Sequence, residues 1–99
     1  MRQDLAPPPV VVKLPAALVR LFPGAVQRVE LPASDSVQTV GDVIDALDGR
    51  WTGMRDRICD STPRIRRHMN VFVAGERVTL ETRLAPGAEV VVLTAISGG

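Results

Sequence analysis

The chain has 99 residues, 45% hydrophobic and 23% charged, with twelve basic side chains against eleven acidic ones. That length holds one domain with one modest core, and a net charge of +1 singles out no partner class. A lone cysteine, Cys59, excludes an internal disulfide and fits a reducing cytosol, and no stretch reaches the ~18 consecutive apolar residues of a membrane span.

The opening "MRQDLAPPPVVV" carries an acid and three prolines where a signal peptide needs its apolar segment. Residues 1–8 therefore read as a flexible leader, residues 9–95 as the folded domain and residues 96–99 as an exposed tail. The short β-branched segment Pro9–Leu14 reads as a strand, ended by Pro15. Ala16–Phe22 reads as a short helical turn. After the Pro23-Gly24 punctuation, Ala25–Leu31 reads as a second strand.

The clearest periodicity lies in "TVGDVIDALDGRW". Val40, Val43, Ile44, Leu47 and Trp51 fall on one face of an α-helix. Thr39 suits the N-cap, with Asp42 three residues on as a capping-box acid. Gly49 is expected to weaken the last turn and end the helix. Met54 and Ile58 support one further helical turn, and Pro63 stops it.

From Arg67 the period becomes two. Met69, Val71 and Val73 face one way, and His68, Asn70 and Phe72 the other. Ala74-Gly75 reads as a tight turn in which Gly75 takes the positive φ, with Val78 and Leu80 continuing a short strand. Pro86-Gly87 is another turn. The unbroken Val-Val-Val-Leu run in Glu89–Leu93 predicts a final strand buried on both faces. Such a strand belongs in the middle of a sheet. The only comparable partner is "VVVKL", so the first and last strands are expected side by side and parallel, with the helix packed across them.

The order strand, strand, helix, strand, short strand, strand predicts an α+β chain: a mixed four- to five-stranded sheet under one main helix. It resembles the ubiquitin-like β-grasp. Three stretches sharpen the likeness: "TVGDVIDAL" (39–47), "MNVFVAGERV" (69–78) and "PGAEVVVLTAISGG" (86–99), with "LPAALVRLF" (14–22) as in longer members. Together, in this order and ending in Gly98-Gly99, they resemble the prokaryotic sulfur-carrier family. That family takes in the molybdopterin synthase small subunit, the thiamine sulfur carrier and a carrier of cysteine biosynthesis. Two departures leave the subfamily open: Thr94-Ala95 replaces the frequent prolines, and Ala88 replaces the acid of "GDEV".

The resemblance implies that the chain is a carrier and not an enzyme, and that it binds no cofactor itself. An adenylating enzyme related to ubiquitin-activating enzymes would use ATP to join the Gly99 carboxylate to AMP. A sulfur donor would convert the acyl-adenylate to a thiocarboxylate, and a sulfur-accepting biosynthetic enzyme would take the sulfur. Gly98, Ser97 and Ile96 would thread the partner's active site, where the missing Cβ of glycine leaves room for a narrow channel. Partner docking in this fold commonly uses the open sheet face, which makes Phe72 and Leu93 docking candidates; equally, both are core residues. A ubiquitin-like modifier joined through Gly99 to lysines is the alternative, and a non-covalent interaction domain a further one.

The remaining features carry less. Arginines at 50, 55, 57, 64, 66 and 67 are interleaved with Asp48, Asp56 and Asp60, and only Trp51 stands near. That reads as a solvated surface first, a docking patch for an acidic partner second, and a nucleic-acid site last. Cys59 has no CxxC partner and reads as structural. His68 makes no triad or metal site and is expected on an exposed side.

Overall fold

The computed structural model describes residues 7–94. The helix at the centre of the chain forms as its cap predicts. Helix α2 (Val40–Arg50) starts at Thr39, whose hydroxyl accepts from the Asp42 N–H at 3.1 Å. The Asp42 carboxylate reaches back to the N–H groups of Thr39 at 3.0 Å and Gln38 at 2.9 Å, completing a capping box. Two further N–H groups at this end, on Val40 and Gly41, donate to the carbonyls of Thr82 and Leu80, each at 2.9 Å. Gly41 allows that approach, since a Cβ there would sit 3.2 Å from the Leu80 oxygen. Gly49 does not end the helix. It continues to Arg50, and the Trp51 N–H donates to the Leu47 carbonyl.

Five strands make one mixed sheet: β1 (Val10–Lys13), β2 (Arg28–Leu31), β3 (Met69–Val73), β4 (Glu76–Arg77) and β5 (Glu89–Thr94), in the order β2-β1-β5-β3-β4. β5 is central. It runs parallel to β1, with Val12 opposite Val90, and antiparallel to β3, with Val71 opposite Val92. The expected pairing of the first and last strands is therefore present. Two short helices complete the chain, α1 (Ala16–Val19) and α3 (Met54–Ile58).

Alternation along the strands sorts the side chains. Val10, Val12, Val29, Leu31, Met69, Val71, Val90 and Val92 meet Val43, Ile44 and Leu47 of α2 in one core, closed by Leu18, Met54 and Ile58. Trp51 is only partly buried against its margin. No polar or charged residue among those described is buried. The core is thus held by apolar area alone, worth about 1.5–3 kcal/mol for each fully buried aliphatic side chain.

Two expectations need correction, and the expected turn gains a second positive φ. β5 is not buried on both faces: Val90 and Val92 are, but Val91 is half-buried and Leu93 is 45% exposed. One helical layer covers one face of the sheet, so the odd residues of β5 lie bare. Val78 and Leu80 do not continue a strand. The ladder stops at Arg77, and Leu80 turns away to bring its carbonyl to α2. The hairpin turn uses positive φ at Ala74 (54°) as well as at Gly75 (81°).

Two predictions follow from the helix. Gly49 is exposed and a Cβ there would meet nothing within 4 Å. Gly49→Ala should therefore stabilise the protein by about 0.5–1 kcal/mol, seen as a rise of several degrees in Tm. At Asp42, the N–H of Gln38, followed by Thr39, holds the carboxyl below its ordinary 3.8 against the opposing effect of partial burial. Its contribution is complete above that value and is lost as pH falls through the lower folded one. Asp42→Asn should cost stability at about pH 7, and the gap to the wild type should narrow in urea melts below about pH 4.

Candidate functional site

β5 is both the centre of the sheet and the last described element. Ile96, Ser97, Gly98 and Gly99, the tail residues singled out in the sequence, lie outside the described residues. What the structure supplies is the base they follow. β1 pairs with residues 89–91 and β3 with residues 90–94, so the strand is held along its length and Thr94 is still on the β3 ladder.

The uncovered face of the sheet is a second feature. Strand register sets Arg28, Lys13, Val91, Phe72 and Arg77 in a row across it. Leu93 stands opposite Asn70, one step nearer the end of β5. The centre of this face is therefore apolar, with half-buried Val91 and Phe72 beside exposed Leu93, and its flanks carry charges of both signs, Arg28 paired with Glu30. Phe72 and Leu93 do share one face, away from the core. Lys13 is tied to Glu89 at 3.1 Å, with both side chains half exposed. Such surface pairs add little stability.

Sequence reasoning missed two further exposed hydrophobics. Leu21 and Val26, in the connection from α1 to β2, are each 51% exposed. Because β1 and β5 are parallel, the chain leaves β1 at the same end of the sheet where β5 finishes. Leu21, Val26 and Leu93, the large exposed hydrophobics of the described residues, thus all belong to the end from which the tail departs. In the sequence, Leu21 passes for one side of a helical turn and Val26 for a strand residue. The parallel register places their connection at the end of the sheet where β5 finishes.

The arginine-rich stretch is organised differently from its spacing. Its acids serve the backbone. Asp48 accepts from the N–H groups of Gly53 and Arg55, each at 3.0 Å, and so caps α3. Asp60 accepts from Thr62 and from the Arg64 N–H, closing the loop before β3. The Thr62 hydroxyl and then its N–H hold the Asp60 carboxyl below its usual range. Arg55 pairs instead with Asp45. His68 is exposed, as expected. Cys59 is buried, and burial pushes its thiol upward from the ordinary value. No cluster of metal-ligating side chains occurs among the described residues, and no helix there is long and apolar enough to cross a membrane.

The ThiS family matches residues 12–99, which take in the helix, all the strands from Val12 on and the terminal glycines. The chain belongs to the ThiS family. Small archaeal modifier protein 1 of Haloferax volcanii is 32% identical over 87 residues, spanning 88% of this chain and 97% of that protein. Sulfur carrier protein CysO of Mycobacterium tuberculosis is 36% identical over 72 residues, 67% of this chain and 77% of the relative. Among solved structures, a chain of the Amycolatopsis orientalis BexX/CysO complex superposes with a TM-score of 0.76 at 29% identity, covering 91% of this chain and 99% of its own. The ThiS-family chain thus has the ubiquitin-like β-grasp that its sequence resembles, and its relatives are small carrier and modifier proteins.

The buried thiol gives this region its own check. Because a thiolate is the reactive form, native Cys59 should not react with a disulfide reagent within minutes at neutral pH. Addition of denaturant should release one equivalent at once.

Proposed function

We propose that this chain is a sulfur carrier whose Gly99 carboxylate is adenylated and then converted to a thiocarboxylate. In the first step a carboxylate oxygen attacks the α-phosphate of ATP within an activating enzyme, and pyrophosphate leaves. In the second, hydrosulfide attacks the acyl carbon, AMP leaves, and the C–S bond replaces the C–O bond. The thiocarboxylate sulfur then attacks an electrophilic carbon of the acceptor enzyme's substrate and displaces its leaving group to form a thioester; water cleaves the acyl C–S bond, leaving the sulfur on the product and regenerating the Gly99 carboxylate.

The observation that carries this reading is the family match running through β5 to Gly99. The geometry supports it. Proximity catalysis rewards a reacting group held on a rigid base, and β5 is the most constrained strand of the sheet. Gly98 and Gly99 add no side chain beside the acyl carbon. The face carrying Val91, Phe72 and Leu93 offers the activating enzyme an apolar anchor with a charged margin. The CysO relatives favour cysteine biosynthesis or general sulfur transfer over molybdopterin and thiamine supply. A reducing cytosol suits the lone buried thiol. The chain itself performs no acid–base chemistry, and ATP belongs to the partner.

A second reading has its own support. The Haloferax volcanii relative is a modifier protein, and the same acyl-adenylate can pass to a lysine amine. One experiment separates them. After incubation with ATP, an activating enzyme and sulfide, intact mass should show one oxygen replaced by sulfur. Stable adducts on lysines of other proteins would instead favour modification. Appending one alanine after Gly99 should abolish the exchange, and undiminished sulfur loading of that variant would overturn both readings. Leu93→Asp should raise the activating enzyme's KM at least about tenfold with the fold intact.

A further inference from the structure

A cleft of about 560 Å³ opens at the β3–β4 edge of the sheet, one strand away from the end of β5, with Met69 and Asn70 of its lining paired on their other side with Thr94 and Leu93. One wall is the loop 62–67 and the other the segment 77–81. The cleft exists because the hairpin comes apart. Val78 donates to the Val71 carbonyl at 2.9 Å, and the chain then departs toward α2, where Leu80 satisfies the Gly41 N–H. Among the described residues the Val71 N–H has no backbone acceptor in return. The edge of β3 from Met69 to Val71 is left without a neighbouring strand.

The lining has two chemistries. Its floor is aliphatic, with Val71 buried and Ile65, Val78 and Leu80 partly so. Its rim is cationic, with Arg64, Arg66, Arg67 and Arg77 against the single carboxylate of Glu81. The loop that carries most of this charge is preset. Asp60 donates its N–H to the Arg64 carbonyl at 2.8 Å and accepts from the Arg64 N–H at 3.0 Å, and the Arg66 N–H donates to the Ile58 carbonyl at 2.8 Å. The Arg66 Nε donates to the Asp56 carbonyl at 2.7 Å. The ion pairs of the described residues lie elsewhere, so Arg64, Arg67 and Arg77 have no carboxylate partner among them.

We propose that this edge cleft docks an extended segment of a partner protein in which aliphatic side chains alternate with Asp or Glu. Alternation is the signature of such a segment. Every second side chain of a strand points one way, so aliphatic groups enter the floor while carboxylates meet the arginine rim. Arginine suits the rim because its planar fork binds carboxylates in a bidentate manner.

The test is a titration of the full-length ¹⁵N-labelled chain with a capped peptide, Ac-Asp-Val-Glu-Leu-Asp-Val-Glu-NH2. Neither ATP nor an activating enzyme is present, so the result is independent of the Gly99 chemistry. Saturable amide shifts are expected at Ile65, Val71 and Val78, with a Kd on the order of 100 μM that weakens as salt rises. Arg64→Ala with Arg67→Ala should weaken binding at least about tenfold. Arg20→Ala with Arg28→Ala, the same change of charge outside the cleft, should leave it unchanged. A peptide with lysine at every acidic position should not bind. The proposal is overturned by shifts centred on Phe72 and Leu93, by equal effects of the two double variants, or by absence of saturation at millimolar peptide. It is overturned equally if a single-stranded oligouridylate gives the same shifts at the same concentration.

Discussion

One helix lies on one face of a five-stranded sheet, and most of the molecule's chemistry follows from that imbalance. A sheet presents two faces, and α2 with its short companions covers only one. The covered face collects the β-branched residues of four strands into a core without buried polar groups among the described residues. The other face must meet water or a partner. On its margins the chain places Lys13, Arg28, Glu30 and Glu89 there, which solvent accepts readily. At its centre it keeps Val91, Phe72 and Leu93. A bare apolar centre costs solubility and contributes no packing, so its presence points to a protein that spends part of its life against another surface.

The parallel pairing of β1 and β5 decides where that surface lies. Antiparallel neighbours can be linked by a tight turn, but parallel strands need a long crossover. Here the whole stretch from β2 to β3, with α2 inside it, forms that crossover. The result brings the final strand into the middle of the sheet and points it toward the α1–β2 connection. Thus the rigid exit, the open-face patch and exposed Leu21 and Val26 fall at one end.

Much of this was legible in the sequence because local chemistry and global packing agreed. Thr39 and Asp42 mark the start of α2, and both members of the capping box are in place. The switch to period two after Arg67 marks β3, and the likeness of "VVVKL" to the last strand reveals their adjacency. The failures arose where a residue's partner is distant in the chain. Val78 and Leu80 have strand composition, yet the helix N-terminus requires carbonyl acceptors and the Leu80 and Thr82 oxygens supply them. Four successive apolar residues in β5 look doubly buried, because sequence alone cannot distinguish a covered face from an apolar one left open. Asp48 and Asp60 look like counter-ions to the arginines, but short-range N–H groups take them first.

That last competition shapes the electrostatics of the chain. A net charge of +1 suggests a neutral surface, but charge balance is not charge pairing. Asp42, Asp48 and Asp60 spend their oxygens on N–H groups at a helix start, a second helix start and a loop. The position of each is dictated by the backbone it caps. The arginines that follow in sequence project from the outside of those same turns. The separation creates a local cationic rim at one sheet edge within an almost neutral molecule. The rim and the apolar open face share β3: its register with β5 sets Phe72 beside Val91 on the open face, and its other edge, beyond the short β4 ladder, borders the rim.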